Sequence, residues 1–276
     1  LQDFIDKAPD NMSRAKYAAM RERSVGLGVM GLHSYLQQKR VPLESAVAKS
    51  LNMRIFKHIK VLADRASREM AVELGPCPDA ADFGVMERFS NKLAIAPTAS
   101  ISIICGGTSP GIEPFAANSY VHKTLSGSFN VRNKHLTKLL QEKGRDDDKI
   151  WSSIIANEGS VQHLDCLTQN EKDVFKTAFE IDQRWLIELA ADRVPFICQS
   201  QSLNLFLPAD IHKRDLHGIH FSAWKKGIKS LYYCRSKSLQ RADTIASLGI
   251  GAPVTAQKKS QTLNALVDYD ECLACQ

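Results

Sequence analysis

Apolar residues recur every three or four positions in two long stretches of the chain, the spacing typical of amphipathic helices with one buried face. The first stretch covers residues 43–74 and ends at Gly75 and Pro76, residue types that stop a helix. Its predicted buried face consists of Val47, Leu51, Ile55, Ile59, Leu62, Ala66 and Met70. The second stretch begins with a T-x-x-E capping box at Thr168 and extends to about Asp192.

Shorter apolar runs predict strands around these helices. Residues 93–115 have the composition of a strand that leads into a loop: two hydrophobic pieces within 93–104 flank a Pro-Thr-Ala-Ser turn, and a Gly- and Pro-rich loop follows. Two further runs, 202–207 and 230–234, are separated by a predicted helix at about 209–227. Strand, helix and strand in this order are typical of a βαβ unit, so the predicted fold class is α/β, as a barrel or an open sheet. From Ser247 onward the chain is polar, and we expect a flexible tail.

The composition is ordinary for a globular protein, with 44% hydrophobic and 24% charged residues among 276. The net charge of +6 is spread over short clusters without a long basic arm, which disfavours nucleic-acid binding. No run of about 18 apolar residues exists, so no membrane span is predicted. Seven cysteines, an odd number, without a basic leader at the N-terminus indicate a reducing, cytoplasmic environment.

Three glycines, Gly26, Gly28 and Gly31, have the spacing G-x-G-x-x-G. This spacing is similar to the fingerprint of dinucleotide-binding folds, but no clear acidic residue opens a second strand after it. Glycines at such positions also let two backbones approach each other closely. We therefore favour a packing role over dinucleotide binding.

Small hydroxyl residues follow the first part of the predicted strand, in the run Pro97-Thr98-Ala99-Ser100-Ile101-Ser102. A turn of this kind can direct backbone amides and hydroxyl groups at a phosphate, and a helix after it would add its dipole. Composition alone favours the alternative, a plain connection between two elements. For Glu113, in an Ile-Glu-Pro corner, composition likewise favours a structural role, as a buried hydrogen-bond acceptor.

Two adjacent tyrosines, Tyr232 and Tyr233, lie in the last predicted strand. Successive side chains of a strand point to opposite faces, so a stacked pair would need an irregular backbone. Without that irregularity one tyrosine belongs to the core and the other to the surface. A redox role requires the two phenols to lie close together in a site of low dielectric constant.

A C-x-x-C dithiol, Cys272 and Cys275, lies at the end of the polar tail. Two close thiols on a flexible segment are well suited to thiol–disulfide exchange. The acidic neighbours Asp268, Asp270 and Glu271 do not activate a thiolate as lysine or arginine would. The alternative is half of a zinc site, but no second ligand pair completes the four ligands that zinc prefers. The redox interpretation is the stronger one.

Several segments together resemble one family, the large subunits of class I ribonucleotide reductases, in their C-terminal portion. Residues 96–103 and 107–114 are similar to the family's late substrate-phosphate loop, and residues 23–31 to the barrel segment upstream of it. Residues 231–236 are similar to the segment with the radical-transfer tyrosines, and Cys272 and Cys275 match the family's shuttle dithiol. Two further family segments match at Asn157-Glu158-Gly159-Ser160-Val161-Gln162 and Gln201-Ser202-Leu203-Asn204-Leu205. The resemblance covers essentially the whole chain in the right order.

The resemblance implies part of a ten-stranded α/β barrel that is incomplete on its own, with residues 1–246 in the barrel and residues 247–276 as a redox tail. The implied reaction reduces ribonucleoside diphosphates to 2′-deoxyribonucleoside diphosphates by radical chemistry. The residues implied to hold the substrate phosphates are Pro97, Thr98, Ala99, Ser100 and Ile101. Tyr232 and Tyr233 would deliver the radical from a small, metal-containing subunit. Thioredoxin or glutaredoxin would recharge the dithiol of the tail.

The sequence departs from the family pattern where the most reactive groups are expected. The N-x-C-x-E loop with the thiyl-radical cysteine, the two cysteines oxidised in turnover and the nucleotide-binding regulatory module do not occur in it. The hypothesis is therefore a split enzyme, in which an N-terminal part of the large subunit supplies these groups and binds the nucleotide effectors. This chain itself is expected to bind no cofactor.

The sequence leaves open three alternatives to a catalytically active part of a reductase. The first is a non-catalytic fragment that folds and docks without activity, against which the intact tyrosine pair and dithiol argue. The second is an independent dithiol or metal protein, which a zinc assay would reveal. The third is a nucleic-acid-binding protein, which would show salt-dependent retention on DNA.

Overall fold

The computed structural model describes residues 2–124 and 127–236. In chain order its α-helices are α1 (Gln2–Asp6), α2 (Ser13–Glu22), α3 (Leu32–Gln38), α4 (Ala46–Leu74), α5 (Pro78–Asp82), α6 (Ala99–Ile104), α7 (Lys134–Glu142), α8 (Asp148–Ala156), α9 (Gln169–Val174), α10 (Gln183–Arg193) and α11 (Lys213–Lys225). Its strands are β1 (Ser119–Thr124), β2 (Gly127–Arg132), β3 (Leu205–Leu207) and β4 (Cys234–Ser236). The predicted tail, with Cys272 and Cys275, lies outside the described residues.

Parallel pairing joins four extended segments side by side. Leu27 forms a parallel bridge with Leu93, and Ile95 forms one with Gln201. After Gln201 the chain continues into β3, which pairs in parallel with β4, and α11 connects the two strands. This arrangement confirms the predicted βαβ unit and the α/β fold class. Strand β3 is shorter than the predicted run 202–207, and β4 begins only at the last residue of the predicted run 230–234.

The glycines near residue 28 allow close packing in this sheet. A Cβ atom on Gly28 would lie 2.4 Å from the carbonyl oxygen of Ala94, on the neighbouring segment. Gly31 has a φ of +82°, and a Cβ there would lie 2.5 Å from Oγ1 of Thr108. Both positions therefore require glycine, and the packing interpretation of the G-x-G-x-x-G run is confirmed.

Helix α4 confirms the first predicted helix, but its buried face is not the predicted one. Its fully buried residues are Ala48, Asn52, Phe56, Ser67 and Ala71, whereas Val47, Leu62 and Ala66 are exposed. The predicted Leu51, Ile55 and Ile59 pack only partly buried against the core. Asn52 is tolerated in the core because its amide donates to the carbonyl of Leu189 and its oxygen accepts from Arg193.

The second predicted helix, 168–192, is two helices, α9 and α10. The Thr168 capping box is present and begins α9 as expected. Between the helices, the amide of Ala178 donates to the carbonyl of Phe115, a contact distant in sequence that competes with helical hydrogen bonds. The side chain of Asp182 then accepts from the amide of Arg184 and begins α10.

The turn predicted within residues 93–104 is present, but the prediction of a strand is wrong for the hydrophobic piece after it. Only the region of Leu93 and Ile95 is extended, and Ala99–Ile104 is helix α6. The change occurs at Thr98, whose backbone is left-handed with a φ of 54° and a ψ of 30°. The run of isoleucine and serine that favours a strand is thus overridden by the turn that precedes it.

Two hydrophobic clusters hold the described residues together. The larger one packs α3, α4 and α10 on the parallel segments, and its most buried members include Leu36, Phe56, Ile187, Leu203 and Leu205. The smaller one, built from α7, α8 and the region around α9, includes Leu136, Leu140, Trp151, Ile154 and Phe175. The antiparallel hairpin of β1 and β2, with Ser119 opposite Arg132, contacts α8. None of the helices that the structure describes is long and apolar enough to cross a membrane.

Candidate active site

The segment Pro97–Ile101 forms a turn that begins α6 on the surface. Oγ1 of Thr98 accepts a hydrogen bond of 2.7 Å from the backbone amide of Gly111. The first backbone hydrogen bond of the helix runs from the amide of Ser102 to the carbonyl of Thr98, at 2.9 Å. The amides of Ala99 to Ile101 precede it and have no acceptor within the helix. Ser100 and Ile101 are exposed, so this turn is accessible to an anion in solution.

The loop after α6 returns to this turn and is fixed in place. Gly111 has a φ of +46°, and a Cβ atom there would lie 2.8 Å from the carbonyl oxygen of Ala96. Ser109 and Ser34 exchange two hydrogen bonds, each hydroxyl accepting from the other residue's amide, at 2.8 and 3.1 Å. The conformation of the turn is therefore determined by α3 and by the loop together.

Two residues further along the same loop, Glu113 is buried with 6% of its surface exposed. Its Oε1 accepts a hydrogen bond of 2.6 Å from Nδ2 of Asn204, which is 1% exposed. Burial raises the pKa of Glu113 to about 7, against the opposing effect of the nearby Arg235 charge and of the Asn204 hydrogen bond. The prediction of a buried acceptor at Glu113 is confirmed.

The two tyrosines immediately before β4 are in contact. The ring centroids of Tyr232 and Tyr233 are 4.1 Å apart, and the ring planes meet at 50°. Both side chains are partly exposed, at 40% and 44%. The expectation of one core and one surface aromatic is therefore wrong, because the backbone here is irregular. The guanidinium of Arg235 lies 5.9 Å from the centre of the Tyr233 ring, within the range of a cation–π contact.

The structure links the Pro97–Ile101 turn to the tyrosine pair through a short series of bonds. Thr98 contacts Gly111, which is two residues before Glu113. Glu113 contacts Asn204, and Oδ1 of Asn204 accepts from the amide of Tyr233 at 3.0 Å. Sequence reasoning did not single out Asn204. Its signal was a lone polar residue in an apolar run that ends at Leu207.

Metal-ligating side chains do not cluster in the part of the chain that the structure describes, where no group of three His, Cys, Asp or Glu residues could hold an ion. The cysteines of that part are free thiols at Cys77, Cys105, Cys166, Cys198 and Cys234. The positions of Cys272 and Cys275 are not described, so the dithiol prediction stays a prediction.

Comparison with known proteins identifies the family. The family model described as "Ribonucleotide reductase, barrel domain" matches residues 1–83 and 80–234. The ribonucleoside-diphosphate reductase large subunit of Invertebrate iridescent virus 6 is 49% identical over 248 residues, which are 88% of this chain and 26% of that protein. The corresponding subunit of Invertebrate iridescent virus 3 is 48% identical over 89% of this chain and 39% of its own length.

A solved structure agrees with these sequence matches. The class Id ribonucleotide reductase alpha subunit of Actinobacillus ureae superimposes with a TM-score of 0.80 and 39% identity, covering 90% of this chain and 45% of that one. The chain belongs to the ribonucleotide reductase barrel-domain family. It spans between 26% and 45% of the length of these three relatives. The expected resemblance to the C-terminal portion of a large subunit, and to part of its α/β barrel, is confirmed.

Proposed function

We propose that this chain is the C-terminal part of a class I ribonucleoside-diphosphate reductase large subunit, which converts ribonucleoside diphosphates to 2′-deoxyribonucleoside diphosphates. The observation that carries the proposal is the contact of Tyr232 and Tyr233 at 4.1 Å, linked through Asn204 and Glu113 to the loop that fixes the Pro97–Ile101 turn. A reductase of this family needs both a phosphate site and a radical route, and the chain offers a candidate for each in one connected region.

The Pro97–Ile101 turn binds the substrate phosphates in this proposal. The amides of Ala99, Ser100 and Ile101 precede the first hydrogen bond of α6, and amides so placed donate to phosphate oxygens. The hydroxyl of Thr98 already accepts from Gly111, so its role is to hold the turn in shape. The hydroxyl of Ser100 is exposed and free to donate to an anion.

Tyr232 and Tyr233 carry the radical from a small, radical-generating subunit towards the substrate. In each step one phenol loses an electron and its hydroxyl proton and becomes a phenoxyl radical, while the radical that it meets takes up one electron and one proton. Transfer of this kind requires the two rings to be close, and a centroid distance of 4.1 Å fulfils that requirement. It also requires a site of low dielectric constant, so the other parts of the enzyme must cover the two rings, which are 40% and 44% exposed in this chain alone. The thiyl-radical cysteine and the nucleotide-effector sites belong to the N-terminal part of the large subunit.

Cys272 and Cys275 return electrons to the active site after each turnover. Their thiols reduce the active-site disulfide by thiol–disulfide exchange and become a disulfide themselves. Thioredoxin or glutaredoxin then reduces this second disulfide. The support for this step is the sequence alone, a C-x-x-C pair on a polar tail.

Complementation tests the proposal. The chain is co-expressed with the N-terminal part of a large subunit and mixed with the small subunit, a ribonucleoside diphosphate and dithiothreitol, and formation of the deoxynucleotide is measured. We expect product only when all three proteins are present. A complex that assembles and binds the diphosphate without forming product would instead identify a non-catalytic fragment.

A further inference from the structure

The backbone around the tyrosine pair contains a β-bulge opposite Asn204. The amide of Tyr232 donates to the carbonyl of Leu203, whereas the amide of Leu205 donates to the carbonyl of Tyr233, one residue later along the chain. In a regular parallel ladder one residue would make both of these bonds. Here two consecutive residues, Tyr232 and Tyr233, face Asn204, and two residues against one define a bulge.

This bulge explains why two successive side chains come together. In an unbroken strand the rings would point to opposite faces of the sheet. The extra residue re-aims one side chain and leaves the amide of Tyr233 outside the ladder. Oδ1 of Asn204 accepts from that amide at 3.0 Å, so the side chain supplies the acceptor that the ladder lacks.

Asn204 is itself held by a second bond. Its Nδ2 donates to Oε1 of Glu113 at 2.6 Å, and both residues are buried. With one side of the amide fixed on Glu113 and the other on Tyr233, rotation of the Asn204 side chain would break two hydrogen bonds at once. Glu113 belongs to the loop that also holds Thr98 through Gly111.

We propose that Asn204, held by Glu113, is a positioning residue that maintains the bulge and thereby keeps the Tyr232 and Tyr233 rings in contact for radical transfer. This inference rests on the proposed function, because it assigns a role within the same radical route. Loss of the Asn204 bridge allows the strand to return to regular pairing, which separates the rings.

The test uses the complete enzyme, with the full large subunit and the small subunit, and compares kcat with KM for a ribonucleoside diphosphate. Asn204→Ala should lower kcat at least about tenfold, since small misplacements of reacting groups have large effects on rate. The KM should stay within about twofold, because the phosphate turn is unchanged. The matched control is Asn118→Ala, which removes another buried amide, one whose hydrogen bonds among the described residues join it to Gly159, Phe175 and Asn133. It should leave kcat unchanged.

Variants of Glu113 test the same positioning role if Asn204→Ala does not fold. Glu113→Gln keeps an oxygen that accepts from Asn204 and should retain kcat within about threefold, whereas Glu113→Ala should lose activity as Asn204→Ala does. The double alanine variant should be no slower than either single variant, since the two residues act as one unit. Additive losses, or equal losses for Gln and Ala, would overturn the inference.

One further variant separates this inference from the proposed function. If Tyr233→Phe abolishes turnover while Asn204→Ala retains full kcat, only the positioning role is wrong. If Tyr233→Phe itself turns over at the normal rate, the radical route is wrong.

Discussion

The buried carboxyl of Glu113 should make the stability of the chain depend on pH in a way that Glu113→Gln removes. Burial favours the neutral, protonated form and raises the pKa of Glu113 from its ordinary value of 4.5 to about 7. An acid whose pKa is raised by folding stabilises the folded state fully below its unfolded pKa. That contribution is lost as the pH rises from 4.5 through 7, where the unfolded chain has already released its proton.

The size of the effect follows from the two pKa values of Glu113. Each tenfold change in proton affinity is worth about 1.4 kcal/mol, so a pKa raised from 4.5 to 7 corresponds to about 3 kcal/mol across this range. His33 acts in the opposite direction, because complete burial lowers its pKa from 6.5 to about 3. Its contribution to stability is lost as the pH falls below 6.5. The total pH profile therefore combines both groups, and only the difference from the variant isolates Glu113.

The measurement is equilibrium urea unfolding of the chain and of Glu113→Gln at several pH values between 4 and 8. The glutamine keeps an acceptor for Asn204 and never titrates. We expect the chain to lose about 3 kcal/mol relative to the variant between the two ends of this range. Parallel profiles would show that the Glu113 carboxyl is ionised or solvated in the folded state, so that burial does not raise its pKa.

Two further predictions concern the loop and the tail. Gly111→Ala should lower the free energy of unfolding in urea by more than Gly84→Ala does. Both glycines have a positive φ, a conformation that costs an alanine about 1–2 kcal/mol. Of the two, Gly111 alone would bring the new Cβ against a backbone oxygen, that of Ala96 at 2.8 Å. Equal losses would contradict the close approach to Ala96. Replacing Cys272 and Cys275 by Ser in the complemented enzyme should spare turnover with dithiothreitol but abolish it with thioredoxin, and equal loss with both reductants would contradict the shuttle role.

The sequence predicted those elements whose causes are local. Helix α4 follows from its apolar spacing and from Gly75 and Pro76 at its end, and α9 begins at the capping box of Thr168. The buried face of α4 was predicted incorrectly because a hydropathy pattern counts Asn52 as polar. That residue is buried only because Arg193 and Leu189 satisfy its amide from another helix.

The missed features depend on contacts between residues that are distant in sequence. The break between α9 and α10 involves a bond from Ala178 to Phe115, and the turn before α6 involves one from Gly111 to Thr98. The contact of the two tyrosines could not be predicted from the sequence, because it requires an irregular backbone. That irregularity depends on Asn204, 29 residues away. Local patterns therefore located the candidate site, and tertiary contacts determined its geometry.

Radical transfer through Tyr232 and Tyr233 is tested by the turnover of tyrosine variants in the enzyme assembled from this chain, the N-terminal part and the small subunit. Tyr232→Phe and Tyr233→Phe keep the ring but remove the phenolic O–H that a radical step requires, while Tyr120→Phe removes a partly exposed phenol in β1 as the control. We expect both variants of the pair to assemble and bind the diphosphate but to form no deoxynucleotide, and we expect normal turnover for the control. Normal turnover by Tyr232→Phe or Tyr233→Phe would contradict it.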